Sequence, residues 1–368
     1  MLGLVRVDSY RLIAVLLALI LLVSAACSSE GGEETTAHFW DTEIVDTSKA
    51  EYTYEEMEED LFLLAAQYPE LVRVASAGKS LDGREIYYAD IGAADAPRQI
   101  MVNAGIHGRE YMTPMLLMEL AEQLLLSLCA TGTSGEAVGA DSWKQTSFRL
   151  VPMVNPDGVT ISQKGLAGIR SESLRDGIVH IFDSDKRNYG YGQHYATIEE
   201  YLIHWKANAA GVDLNRNFGI GGWEKLQTGI VHPSSQRYKG SAPNSEPETQ
   251  ALMRLTESMQ GLVCSISLHS QGEILYWDCG QTGTVRAQTI RLAEQIHRMN
   301  GYRLQQTFEQ ADASYNDWCC LHLGIPSLNI ETGVDACPLP IEQFSTIWEQ
   351  NQDLLWILMA YGEQEAVG

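Results

Sequence analysis

The chain of 368 residues carries 48 acidic side chains against 25 basic ones, a formal net charge of −23. That sign argues against nucleic acid and anionic membrane surfaces as partners, since both would be repelled. It otherwise serves solubility and specifies no substrate.

Arg6 and Arg11 precede an unbroken apolar run, Leu12–Val23, which is followed by Ser24-Ala25-Ala26-Cys27. Such a run is too short to span a bilayer as a helix but suits the apolar segment of a signal peptide. Small residues before a cysteine resemble a bacterial lipoprotein cleavage site, although Ser24 stands where a leucine is usual. Residues 1–27 are therefore expected to direct export. Cys27 would then anchor the mature chain by lipid to the outer face of a bacterial cytoplasmic membrane, with plain secretion as the alternative. Residues 28–48 are polar and glycine-rich and read as a flexible tether. From 49 to 368 the composition is globular, with no further linker or repeat, so a single catalytic domain is expected. The cysteines include no Cys-x-x-Cys pair, so a thiolate metal site is not expected. In an exported chain they permit disulfides without specifying any.

Taken in order, Glu55–Gln67 reads as a helix, and Arg73–Ala77, Glu85–Ile91 and Gln99–Ala104 as strands. A helix follows over Pro114–Ser127, with Thr113 as its N-cap and Pro114 at its first position. Phe148–Val154 reads as a buried strand, Glu246–Met259 as a helix and Leu262–Leu268 as an apolar strand. Val285–Met299 is a helix, Ser327–Ile330 a short strand, and Ile341–Tyr361 a closing helix. Near-continuous apolar strands alternating with helices predict an α/β fold: a mixed, mostly parallel twisted sheet with helices on both faces.

Chemistry-bearing residues stand where these strands end. His107 and Glu110 follow the strand at Gln99–Ala104, three residues apart, a ligand pair that suits zinc. Asn155-Pro156-Asp157-Gly158 follows the next strand and, taken alone, is an ordinary turn. Asp213-Leu214-Asn215-Arg216-Asn217-Phe218 crowds charged and amide groups after a short apolar start. His269 ends the strand at Leu262–Leu268 and points toward the same crevice as His107. Two histidines and one glutamate make three ligands, leaving a fourth position open as catalytic zinc sites do. A metal-activated water needs a carboxylate to take and return its proton, and Glu331, emerging from the short strand at Ser327–Ile330, can supply one.

These motifs, in this order, resemble the zinc carboxypeptidases of the carboxypeptidase A type: His-Gly-Arg-Glu, Asn-Pro-Asp-Gly, Asp-Leu-Asn-Arg-Asn-Phe, His-Ser-Gln-Gly and the Glu331 stretch. Tyr238-Lys239-Gly240, Ser245-Glu246-Pro247-Glu248 and Asp317-Trp318 extend the likeness across the domain. The resemblance implies that His107, Glu110 and His269 hold one zinc and that Glu331 is the general base and acid. It implies that Asn215 and Arg216 grip the substrate's terminal carboxylate, where a forked guanidinium offers two parallel hydrogen bonds. Asp213 matches the carboxylate that orients the first histidine.

Two departures stand out. Lys206 occupies the place where many relatives have an arginine that polarises the scissile carbonyl; it keeps the charge and loses the fork. The substrate-capping tyrosine would fall at Glu309, and Tyr315 or Tyr302 would replace it only through another loop path. Asn316 falls near the base of the primary specificity pocket, where it suits neither apolar nor cationic side chains strongly.

His269 to Trp277, together with Trp205-Lys206-Ala207-Asn208, look most like the bacterial γ-D-glutamyl-meso-diaminopimelate peptidases. That likeness implies a peptidoglycan-derived peptide as substrate, which suits an exported chain. The alternatives are a general secreted metallocarboxypeptidase that scavenges peptides, or a non-catalytic solute-binding lipoprotein; retention of His107, Glu110, His269 and Glu331 argues against the latter.

Overall fold

Short apolar runs whose side chains alternate between two faces build the centre of the molecule, a computed structural model that describes residues 44–131, 142–187, 191–306 and 312–365. The strands are β1 (Val72–Lys79), β2 (Glu85–Ile91), β3 (Arg98–Asn103), β4 (Thr146–Val151), β5 (Leu262–His269), β6 (Ile274–Asp278), β7 (Arg303–Gln306) and β8 (Ser327–Glu331). They form one sheet in the order β1-β2-β4-β3-β5-β8-β6-β7. The central block β4-β3-β5-β8 is parallel. It is flanked by β2, antiparallel to β4, and by β6, antiparallel to β8. The expected mixed sheet is therefore present.

Alternation along β3 shows how both faces are covered, because successive strand side chains point to opposite sides. Ile100 and Val102 pack with the helices Met112–Thr131 and Leu354–Glu365 in the largest apolar cluster. Met101 packs into a second cluster with Ala251, Leu252 and Leu255 of the helix Pro247–Glu257. The helix Tyr54–Gln67 is started by a reciprocal cap in which Thr53 accepts from Glu56 N and Glu56 accepts from Thr53 N. Met112–Thr131 is apolar enough to cross a membrane, yet it is mostly buried in this core.

Several element boundaries differ from expectation. Thr113 is no N-cap: the helix has begun by Met112, and the Thr113 hydroxyl instead donates to Glu110 O (2.9 Å) and accepts from Gly105 N (3.2 Å). The strand expected to Val154 ends at Val151, because Pro152 has no N–H to give the ladder. The helix from Pro247 ends at Glu257, short of Met259. The closing helix is three pieces: a 3₁₀ turn Ile341–Gln343, then Phe344–Asn351 and Leu354–Glu365. Its buried stripe, Ile347, Asn351, Leu354 and Leu358, keeps helical spacing through the break, so periodicity does not reveal it. The fold also begins ahead of the expected boundary at 49: Ile44 N and Val45 N donate to Glu122 at 2.8 and 2.9 Å. The signal segment, Cys27 and most of the tether lie outside the described residues.

Parallel strands deliver their carboxyl ends to one edge, where ligand crevices form. His269 and Glu331 end β5 and β8 as register partners, with β3 beside β5. The loop after β3 is fastened there by Asn155. Its amide nitrogen donates to Ile106 O (3.2 Å) and Ala207 O (3.1 Å), while its oxygen accepts from Gly158 N (2.9 Å). Asn155 is thus the cap of the helix Pro156–Lys164 and a clasp between two site loops. The backbones meet so closely that a Cβ on Gly108 would lie 2.3 Å from Gly158 O and 2.8 Å from Trp205 O. Gly108→Ala is therefore expected to cost at least about 1–3 kcal/mol, the usual penalty of overpacking. Thermal unfolding would show this as a lowered Tm, and an unchanged Tm would mean that the three segments are not locked together.

Candidate functional site

His107 and Glu110 sit on the loop between β3 and the helix that begins at Met112, and His269 ends β5. All three are buried, at 4%, 3% and 1% exposure. His107 Nδ1 lies 2.9 Å from Glu110 Oε1, His269 Nδ1 lies 3.0 Å from Glu110 Oε2, and the two Nδ1 atoms are 3.1 Å apart. Among the described residues, this is the group of His, Cys, Asp or Glu ligand atoms able to surround one metal ion.

The donor set fits zinc. A tetrahedral ion with bonds of about 2.0–2.1 Å separates its ligands by about 3.3 Å, close to the spacing found here. The outward face of the His107 ring is also held, with Nε2 3.3 Å from Asp213 Oδ1. A carboxylate behind a ligating histidine fixes its tautomer and leaves the inner nitrogen free to bind. Asp213 is itself placed by Arg237 N, which donates to its other oxygen at 2.9 Å.

Charge explains the titration behaviour. Burial works to raise Glu110 and Asp213, but neighbouring groups outweigh it. The imidazoles of His107 and His269 hold Glu110 well below the usual carboxylate range. Lys206, His107 and Arg216 do the same for Asp213. Glu331 differs: burial, with Glu110 adding to it, pushes its carboxyl up to about 7 against the opposing pull of His269, Lys206 and Arg109.

Beside the cluster lies a cavity of ≈ 210 Å³ whose lining includes His107, Lys206, Asn215, Arg216, Asn316 and Glu331. The structure therefore gathers every residue assigned to the site from the sequence: these six line the cavity, and Glu110, His269 and Asp213 stand around His107. Arg216 donates through Nη1 to Asn215 O (3.0 Å) and pairs through Nη2 with Asp312 Oδ2 (3.2 Å). Asn316 accepts from Ser327 Oγ at 3.1 Å, so this part of the cavity lining is polar. Glu309 lies outside the described residues. Tyr315 and Tyr302 are not capping groups in this conformation. Tyr315 is buried with its hydroxyl against Thr256 and Ser265, and the Tyr302 hydroxyl donates to Gln350.

Sequence reasoning missed Tyr276, Asp312 and Asn329, which also line the cavity. Tyr276 sits on β6, five residues long and lacking a clear alternation. Asp312 sits in a polar stretch with no motif, and only its spacing of four before Asn316 hinted at the pocket.

The family model described as zinc carboxypeptidase matches residues 57–354. "Gamma-D-glutamyl-L-diamino acid endopeptidase 1" of Lysinibacillus sphaericus is 29% identical over 300 residues, covering 81% of this chain and 70% of that protein. The "Uncharacterized protein YqgT" of Bacillus subtilis (strain 168) is 29% identical over 292 residues, covering 78% of this chain and 71% of its own. Carboxypeptidase A from Helicoverpa armigera has the same fold, with a TM-score of 0.63 at 20% identity, over 97% of this chain and 82% of that one.

The geometry sets two expected outcomes for metal analysis of the purified protein. His269→Ala should lose the zinc carried by the wild type. Asp213→Asn should keep the ligands but weaken zinc binding by about 10- to 100-fold, the usual effect of removing a carboxylate behind a ligand. Competition with a chelating dye would read both, and wild-type zinc retention by His269→Ala would remove His269 from the ligand set.

Proposed function

The chain belongs to the zinc carboxypeptidase family, a family of zinc metallopeptidases, and from that premise we propose that it cleaves cell-wall peptides at the γ-D-glutamyl–meso-diaminopimelate bond. The observation that carries this reading is the polar lining of the cavity, which includes Asn316 and the Arg216–Asp312 pair. An apolar lining would suit aromatic or aliphatic side chains, whereas diaminopimelate ends in an amine and a carboxylate. The likeness to an endopeptidase whose name specifies γ-D-glutamyl-L-diamino acid bonds supports the same substrate class. We further propose that residues 1–27 direct export and that Cys27 is lipidated, which would place the enzyme where such peptides occur.

His107, Glu110 and His269 are the proposed zinc ligands, and zinc supplies a Lewis acid and an activated nucleophile at neutral pH. Arg216, with the amide of Asn215, receives the free carboxylate of the peptide and sets the distance of the scissile bond from Glu331. Glu331 takes the proton of the attacking water and returns it to the departing amine. Burial pushes its carboxyl up, the direction that favours taking up a proton, and a positioned carboxylate can serve both halves of that cycle. Lys206, which lines the same cavity as His107, would place positive charge where the carbonyl oxygen gains negative charge.

Steady-state kinetics separate these roles. Glu331→Gln should lower kcat by about 10²- to 10⁴-fold, the usual share of a positioned acid–base group, with zinc content near normal. Arg216→Ala should mainly raise KM, by about 10- to 150-fold, as expected for loss of a charged hydrogen-bonded pair. Amidating the terminal carboxylate should harm the wild type strongly and Arg216→Ala little. Equal discrimination by both proteins would show that Arg216 is not the anchor. For export, Cys27→Ala should release the protein from the membrane fraction or leave it unprocessed. Unaltered membrane attachment of that variant would refute lipidation at Cys27.

A further inference from the structure

We propose that Asp312 is a specificity-determining residue that reads an ammonium group on the substrate, so that the Arg216–Asp312 pair recognises a zwitterionic diamino acid as a unit. This rests on the cell-wall reading above and adds to it a residue that no sequence motif marks.

The argument is one of charge partners inside the cavity. Four carboxylates line it: Asp278, Asp312, Asp317 and Glu331. Asp278 is paired with Arg286. Asp317 is consumed by backbone, accepting from Asp312 N at 2.7 Å and Ser314 N at 3.0 Å. Glu331 is assigned to proton transfer. Asp312 has Arg216 as its ion-pair partner, at 3.2 Å. The two Asp317 contacts also fix the backbone on which Asp312 stands, so its side chain is presented to the cavity from an anchored position.

A substrate carboxylate arriving at Arg216 must therefore compete with Asp312 for one guanidinium. A peptide bringing only a carboxylate leaves Asp312 beside a second anion without a counter-charge, and like charges in close contact are disfavoured. A substrate residue carrying both a carboxylate and an ammonium restores two pairs from one. Asp312 keeps 58% of its side chain exposed, so screening limits the effect to a modest one.

The test uses the full-length zinc enzyme and two peptides: L-Ala-γ-D-Glu-meso-diaminopimelate and its analogue lacking only the distal amine. For the wild type, kcat/KM should favour the amine-bearing peptide. Asp312→Asn should reduce that preference by about three- to tenfold. It should raise kcat/KM on the amine-free peptide, because a competing carboxylate has gone. Asp312→Glu should restore part of the preference, which a purely structural defect would not do. If Asp312→Asn improves both peptides equally, Asp312 is only a competitor for Arg216 and the proposal is overturned. A wild type that cleaves both peptides with equal kcat/KM overturns the proposal while leaving the cell-wall reading intact. A wild type that cleaves neither overturns both.

Discussion

Two carboxylates and two imidazoles, none more than 4% exposed, are packed against one another at the end of the sheet. Burying carboxylates is costly unless each finds a positive or hydrogen-bonding partner. Here the requirement has a definite geometry. The inner nitrogens of His107 and His269 and both oxygens of Glu110 face a common point, all within hydrogen-bond range of a neighbour. Each imidazole could donate an Nδ1–H to a separate oxygen of Glu110, but His107 Nε2, which faces the Asp213 carboxylate, would then have no proton to donate unless the ring carried an added one. A divalent cation at the focus meets all the inward lone pairs together, and Asp213 behind His107 keeps the ring's remaining N–H outward. The neighbouring loops are best understood as serving that convergence.

Convergence depends on backbone contacts as much as on ligands. His107 cannot hold its place unless the loop after β3 is fixed, and that loop has no regular structure of its own. Asn155 fixes it through two carbonyls, one before His107 and one after Lys206. Behind it, Asp157 accepts from Ser80 Oγ, Asp82 N and Arg84 Nη1, tying the same turn to the segment before β2. A single Asn-Pro-Asp-Gly turn thus joins a ligand loop, the Lys206 segment and the edge of the sheet. Glycine at 108 and 158 is what allows the backbones to approach this closely.

The parts legible in the sequence were those governed by local chemistry. Parallel strands buried on both faces leave largely apolar runs, so β3, β5 and β8 could be placed, and the functional groups stand at their carboxyl ends. The short antiparallel strand β6 and the four-residue β7 escaped, since their stability comes from neighbours and not from a visible pattern. Asn-Pro-Asp-Gly was legible as a turn, but its role as a clasp was not, because its partners Ile106 and Ala207 lie about fifty residues away. Thr113 looked like a cap and serves the ligand loop instead, a case of tertiary hydrogen bonding overriding a local preference. Asp312 escaped for a related reason: nothing near it in the chain reveals Arg216 as its partner.

The charge of the whole chain and the charge of the cavity are of opposite use. A net charge of −23 repels anionic peptides at a distance, yet in physiological salt that repulsion fades within a Debye length of about 8 Å. Closer in, the proposed binding groups take over, and two of the chain's 25 basic side chains, Lys206 and Arg216, line the cavity. Long-range attraction therefore contributes little to selection, and in the proposed reading recognition falls on contact geometry at Arg216, Asn316 and Asp312. A site built this way discriminates by where charges sit on a ligand more than by how many it carries. That is the kind of discrimination required between an ordinary peptide terminus and a diamino acid bearing a second amine and carboxylate.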